Sequence, residues 1–200
     1  MICLHNISKR YGRNIIFDKF NYCFQKGQIH LIKGKSGTGK TTLLRMMLGL
    51  ESFEGSISGM ENAKLGVVFQ ENRLIDSLTI YDNVRLVASE KVDKNRLAKE
   101  LEEVGLKVDI FQKVSTLSGG MKRRVTIVRG LFEEADIYIL DEPFKEIDRE
   151  NDEKLRAYFE KKVSGKTTFI TGHDSVTLTR YKTHVLDLDE VSYESTTTIS

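Results

Sequence analysis

Gly34-Lys35-Ser36-Gly37-Thr38-Gly39-Lys40-Thr41 narrows the folds open to this chain more than any other segment. An apolar run at residues 29–32 precedes it, and Thr42-Leu43-Leu44-Arg45-Met46-Met47 follows without a break. Strand, glycine-rich turn and helix in that order fit the phosphate-binding pattern G-x-x-x-x-G-K-[ST] at every position. Gly34, Gly37 and Gly39 let the backbone N–H groups of the loop, through Lys35, Ser36 and Thr38, turn inward around a polyphosphate. Lys40 can neutralise the outer phosphates, and the Thr41 hydroxyl is a ligand for Mg²⁺. The helix start at Thr41 and Thr42 adds the positive end of its dipole. A chance Gly/Ser turn would need neither flank, so the loop predicts a nucleoside triphosphate site.

Two hundred residues make one domain with room for a small subdomain, and are enough to bury a real core. An apolar fraction of 40% beside 30% charged residues excludes a disordered chain. A net charge of +2 gives no pull toward nucleic acid or an acidic partner. The densest basic run, Lys122-Arg123-Arg124, reads by itself as a solvated helix face rather than a phosphate track. Cys3 and Cys23, the two cysteines, both stand in apolar strand-like contexts. Two reduced thiols in a reducing compartment are expected from that usage. The first residues show no signal peptide, and no apolar run is long enough to cross a bilayer. A membrane role would therefore act through a partner.

Strands are expected at residues 2–8, 15–24 and 29–32, with a polar turn at 9–13. A helix over 40–48 and strands at 55–58 and 65–69 follow. From about residue 72 to 114 the periodicity turns helical and charged, clearest at 82–88 and 95–104. Beyond that lie a helix at 121–134, a buried strand at 137–140 and an amphipathic helix at 149–163. Strands at 167–171 and 185–188 follow, with a short helix between them after His173 and a frayed tail at 195–200. Alternating strands and helices imply an α/β chain with a mainly parallel sheet, the P-loop NTPase core.

A phosphate loop needs acidic partners for its metal and for water. Asp136-Ile137-Tyr138-Ile139-Leu140-Asp141-Glu142-Pro143 supplies them as a buried strand ending in two carboxylates. Asp141 is placed for the Mg²⁺ shell, and Glu142 for polarising the water that attacks the γ-phosphate. Leu117-Ser118-Gly119-Gly120-Met121 adds a second helix start suited to an anion. One chain has no use for two such ends on one triphosphate. A dimer does, if each caps the nucleotide held by the other.

Here the chain resembles the nucleotide-binding subunits of ABC transporters over about residues 2–190, its signature segment 117–121 departing only at Met121, where most members carry glutamine. The resemblance implies an N-terminal antiparallel β subdomain, a small helical subdomain at about 72–134, and a single ATP-binding domain over 1–200. It implies that Tyr11 stacks on adenine, a contact worth ~1–3 kcal/mol with little choice of base. It also implies that Gln70 reaches the metal and attacking water, and that His173 contacts the γ-phosphate. ATP and Mg²⁺ are the implied cofactors. The implied partners are transmembrane permease subunits and a second nucleotide-binding subunit, as a homodimer, with no nucleic acid. The implied place is cytoplasmic, peripheral on the inner face of the membrane. Phe69-Gln70-Glu71, Leu78-Thr79-Ile80-Tyr81-Asp82-Asn83-Val84 and Met121 resemble the nitrate, taurine and sulfonate importer group most. Residues 71–75 and 78–84 would form the groove that receives the membrane partner.

Two segments depart from the family pattern. Phe144-Lys145-Glu146-Ile147-Asp148 keeps the aspartate but puts two charged side chains where relatives carry a small pair. Gly172 is inserted between Thr171 and His173. A soluble mechanoenzyme of the same class acting on DNA or ribosomes is the alternative, though neither a long coiled coil nor a second cassette is present. A lone P-loop kinase or GTPase would leave Ser118-Gly119-Gly120 and His173 without a role.

Overall fold

The computed structural model describes residues 1–145, 149–172 and 183–190. They cluster into two compact units, one from residues 1–63 with the chain from 165 onward, the other from 64 to 164.

The first unit starts as an antiparallel three-stranded sheet. β1 (Ile2–Tyr11) lies between β2 (Asn14–Phe24) and β4 (Glu54–Ser58). β1 buries Ile2 and Leu4 by simple alternation, then Ile7, which is out of phase. A register shift between Leu4 and Ile7 reverses the pleat there. Asn6 takes the left-handed conformation this requires, φ 50°, and its amide donates to Asn21 Oδ1 at 2.9 Å. β1 runs three residues into the expected turn, which shrinks to Gly12 and Arg13.

The same ladder overturns the expectation of two reduced thiols. Cys3 and Cys23 are direct partners across β1 and β2, with Cα atoms 4.1 Å apart, and form a disulfide. Apolar context signals burial, but register alone decides which residues face each other. The unit's second set of strands is parallel: β3 (Ile29–Lys33) lies between β7 (Thr167–Thr171) and β8 (Thr183–Asp187). α1 (Lys40–Met47) follows β3 through the glycine loop and buries Leu43, Leu44, Met46 and Met47.

In the second unit β5 (Leu65–Val68) pairs in parallel with β6 (Ile137–Leu140), which is buried at every residue. Around them stand α2 (Ile80–Arg85), α3 (Lys94–Glu103), α4 (Gly119–Leu131) and α5 (Arg149–Val163). α2 begins two residues before the expected helix because Thr79 caps it, accepting from the Asp82 amide at 3.0 Å. α4 approaches β5 closely at Gly130, where an added Cβ would meet the Val67 carbonyl at 2.5 Å. α3 is tied to α5 through buried Glu100. That carboxylate takes Arg96 Nε at 2.9 Å, Lys162 Nζ at 2.7 Å and the Tyr158 hydroxyl at 2.6 Å. Burial, with the Glu100 charge added, raises the Tyr158 phenol well above its usual value.

Candidate functional site

The first unit carries Tyr11 and the phosphate loop. Gly34, Gly37 and Gly39 all hold positive φ, which is what bends the loop amides inward. At Gly39 the packing is as strict as the backbone, since a Cβ would meet Ile16 Cγ2 at 2.5 Å. Gly39 is also the N-cap of α1, so the helix opens inside the loop, and Thr41 and Thr42 belong to its first turn. Lys40 is 7% exposed, and its ammonium donates to the Gly34 and Lys35 carbonyls at 2.7 and 2.9 Å. Thr38 Oγ1 donates to Lys35 O at 2.9 Å. These bonds preset the loop's shape and hold the Lys40 ammonium against the loop's own carbonyls.

The loop also has an anchor that its own sequence does not reveal. The Lys35 amide donates to the Asp189 carboxylate, at 3.1 Å to Oδ2. A carboxylate two residues past β8 carried no signal when read alone. Tyr11 ends β1 and is 46% exposed, with Lys9 Nζ over its ring, 4.8 Å from the centroid. An exposed aromatic side chain is what base stacking needs.

The second unit carries Gln70, Ser118, Gly119, Gly120, Asp141 and Glu142. Asp141 is 6% exposed at the end of β6, its amide donating to Val68 O at 2.8 Å. Glu142 turns its backbone to φ 44°, unusual for a side-chain-bearing residue. Gln70 and Glu142, 72 residues apart in sequence, meet: Gln70 Nε2 donates to Glu142 Oε2 at 3.3 Å. Ser118 caps α4, its Oγ accepting from the Met121 amide at 3.3 Å. Gly119 and Gly120 face open space, with nothing within 4 Å of where a Cβ would be.

Arg123 corrects the reading of 122–124 as a solvated face. Arg123 and Arg124 are buried, and Lys122 is half-buried in a pair with Asp76 at 2.8 Å. The Arg123 guanidinium donates to five carbonyls, those of Phe69, Gln70, Asp141, Glu142 and Pro143. It thus fixes both ends of the Gln70–Glu142 pair. Further along α4, Thr126 Oγ1 donates to Asn72 O, and Arg129 to Asn72 O and Arg73 O. The only signal in sequence was three cationic side chains on a helix that also had apolar neighbours.

Thr41, Asp141 and Gln70 offer oxygen ligands, the donor type that suits Mg²⁺. Among the described residues no cluster of three His, Cys, Asp or Glu side chains forms a metal cage. Donors of this type, with a single carboxylate among them, suit a cation that keeps substrate phosphates among its ligands. His173, Glu146 and Asp148 lie outside the described residues.

The family model described as ABC transporter matches residues 17–145. Aliphatic sulfonates import ATP-binding protein SsuB 2 of Burkholderia cenocepacia is 39% identical over 148 residues, 70% of this chain and 55% of the relative. SsuB 1 of Pseudomonas syringae pv. syringae is 38% identical over 141 residues, 70% of this chain and 59% of the relative. The chain thus spans a little over half the length of these curated relatives. A solved Pyrococcus furiosus protein assigned as an ABC transporter ATP-binding protein superposes with a TM-score of 0.81. It shares 25% identity, over 96% of this chain and 98% of its own. An ATP-binding cassette solved as a post-hydrolysis dimer with ADP and Pi gives a TM-score of 0.79 at 25% identity, over 94% of both chains. The family match starts within β2 and ends at Lys145, taking in the glycine loop, Gln70, the α4 start and both carboxylates; the chain belongs to the ABC transporter family.

Proposed function

We propose that this chain binds and hydrolyses ATP to drive solute transport through separate membrane-spanning subunits, by closing as a dimer over two nucleotides. What carries the reading is the start of α4. Ser118, Gly119 and Gly120 open a second anion-suited helix end onto free space in a chain that already has a phosphate loop. The import direction rests on the relatives' names. Cargo is chosen by other subunits.

In this reading the loop amides from Gly34 to Thr42 and the Lys40 ammonium hold the phosphates, and Tyr11 stacks on the base. Thr41, Gln70 and Asp141 would hold Mg²⁺, which would supply charge neutralisation on the phosphates. Glu142 accepts the proton of the attacking water, while Gln70 orients it and His173 contacts the γ-phosphate. Ser118, Gly119 and Gly120 meet the nucleotide of a second copy, so ATP joins the dimer and its hydrolysis loosens it. The chain then works peripherally on the cytoplasmic face, bound to permease subunits. Among the described residues no helix is long and apolar enough to cross a membrane.

The test is Glu142→Gln, assayed for turnover and used as tagged bait with ATP and Mg²⁺ on gently solubilised membranes. Expected are loss of hydrolysis by about 100-fold or more, retained ATP binding, a nucleotide-dependent dimer, and a polytopic membrane protein in stoichiometric amount. Wild-type turnover in Glu142→Gln would remove its role. Recovery with ribosomes or DNA from the soluble fraction would move the function to the mechanoenzyme.

A further inference from the structure

Lys145 stands three residues after Glu142, and its Nζ lies 3.3 Å from Glu142 Oε2. Gln70 Nε2 donates to the same oxygen at 3.3 Å. The turn between them is closed, the Lys145 amide donating to Glu142 O at 3.2 Å, which brings the i and i+3 side chains together. The Glu142 main chain cannot yield, because Arg123 holds the Asp141, Glu142 and Pro143 carbonyls. The carboxylate's remaining freedom lies in its side-chain torsions, and Lys145 acts on those.

We infer that Lys145 is a positioning residue that restrains Glu142 through this ion pair and must release it for each turnover. This rests on Glu142 as the water-activating carboxylate. A base acts by offering an oxygen to a water proton, and an ammonium on that oxygen competes for it. Release is available. The Lys145 side chain is half exposed and lines a cavity of about 440 Å³ together with Gln70, Asn72, Gly119 and Gly120, so the ammonium has space to swing away. A small residue at this position would leave no such contact, so the restraint depends on the Lys145 cation.

The experiment compares K145A, K145M and K145R with wild type and E142Q in steady-state ATP hydrolysis. An ion pair whose cation is half exposed is a weak brake, so kcat of K145A and K145M is expected to rise about two- to five-fold, with KM for ATP unchanged. K145R keeps the cation and retains the wild-type rate. A residue that merely shapes the turn would lower kcat or raise KM on truncation, and arginine would not restore both. A second readout needs no nucleotide. Urea unfolding of K145A, E142Q and the double variant is expected to be non-additive, as for residues in direct contact. An additive cycle, or a K145A rate at or below wild type, overturns the inference. If wild type and E142Q are equally inactive, the ATPase reading fails instead.

Discussion

His30 shows how one side chain ties the first unit's stability to pH. Its ring packs 5.0 Å from Phe24 and 5.4 Å from Phe169 by centroids, and Nε2–H donates to Gln25 O at 2.8 Å. Burial lowers its pKa, the Gln25 bond opposes that, and His184 adds to the lowering. The folded pKa thus lies below the unfolded one, so on acidification the unfolded chain takes up the proton first. Stability is retained above the unfolded value of about 6.5 and falls as pH drops through it. Urea unfolding from pH 7.5 to 5.5 should show that fall, and His30→Phe should flatten it. An unchanged slope would assign it to other groups. Lys40, Thr41, Asp141 and Glu142 were legible as candidates because each stands in a motif whose spacing has a physical reason. Asp189, Arg123 and the Lys145–Glu142 pair were not, because their partners are recognised only once the chain is folded.

At the scale of an element, α4 does most to organise the second unit. Arg123, Thr126 and Arg129 recur every three residues and share one face. That face takes the carbonyls of residues 69, 70, 72 and 73 in turn. A helix here was readable from periodicity, and its bounds shifted only to Gly119–Leu131, set by the Ser118 cap. Its acceptors, about 50 residues upstream, were not readable. Arg123→Leu should cost about 3 kcal/mol, since it leaves buried carbonyls unpaired, and should lower turnover by loosening Gln70 and Glu142. Arg123→Lys should restore little, because one ammonium cannot serve a fork of carbonyls. Denaturant unfolding and kcat measured on both variants check this. Wild-type stability in Arg123→Leu would remove the clamp.

Over the whole molecule, the chain divides into a unit that carries the phosphate loop and one that carries the carboxylates and the α4 start. The first is also cross-linked. The Cys3–Cys23 bond spans 20 residues, and closing a loop of that size stabilises by about 3 kcal/mol through the unfolded chain. Denaturation with and without reductant, beside Cys3→Ser with Cys23→Ser, should show a loss of that order. Equal midpoints would mean that the bond adds nothing. The sequence by itself determined the α/β alternation, the order of nearly every strand and helix, and the motif residues, because local periodicity and loop chemistry act within a few residues. Tertiary structure alone decided the pleat reversal at Asn6, the pairing of Cys3 with Cys23, the burial of Arg123 and the contact of Lys145 with Glu142. Each depends on what long-range packing or the exact path of the backbone sets opposite a given atom, and no spacing in the sequence encodes that directly.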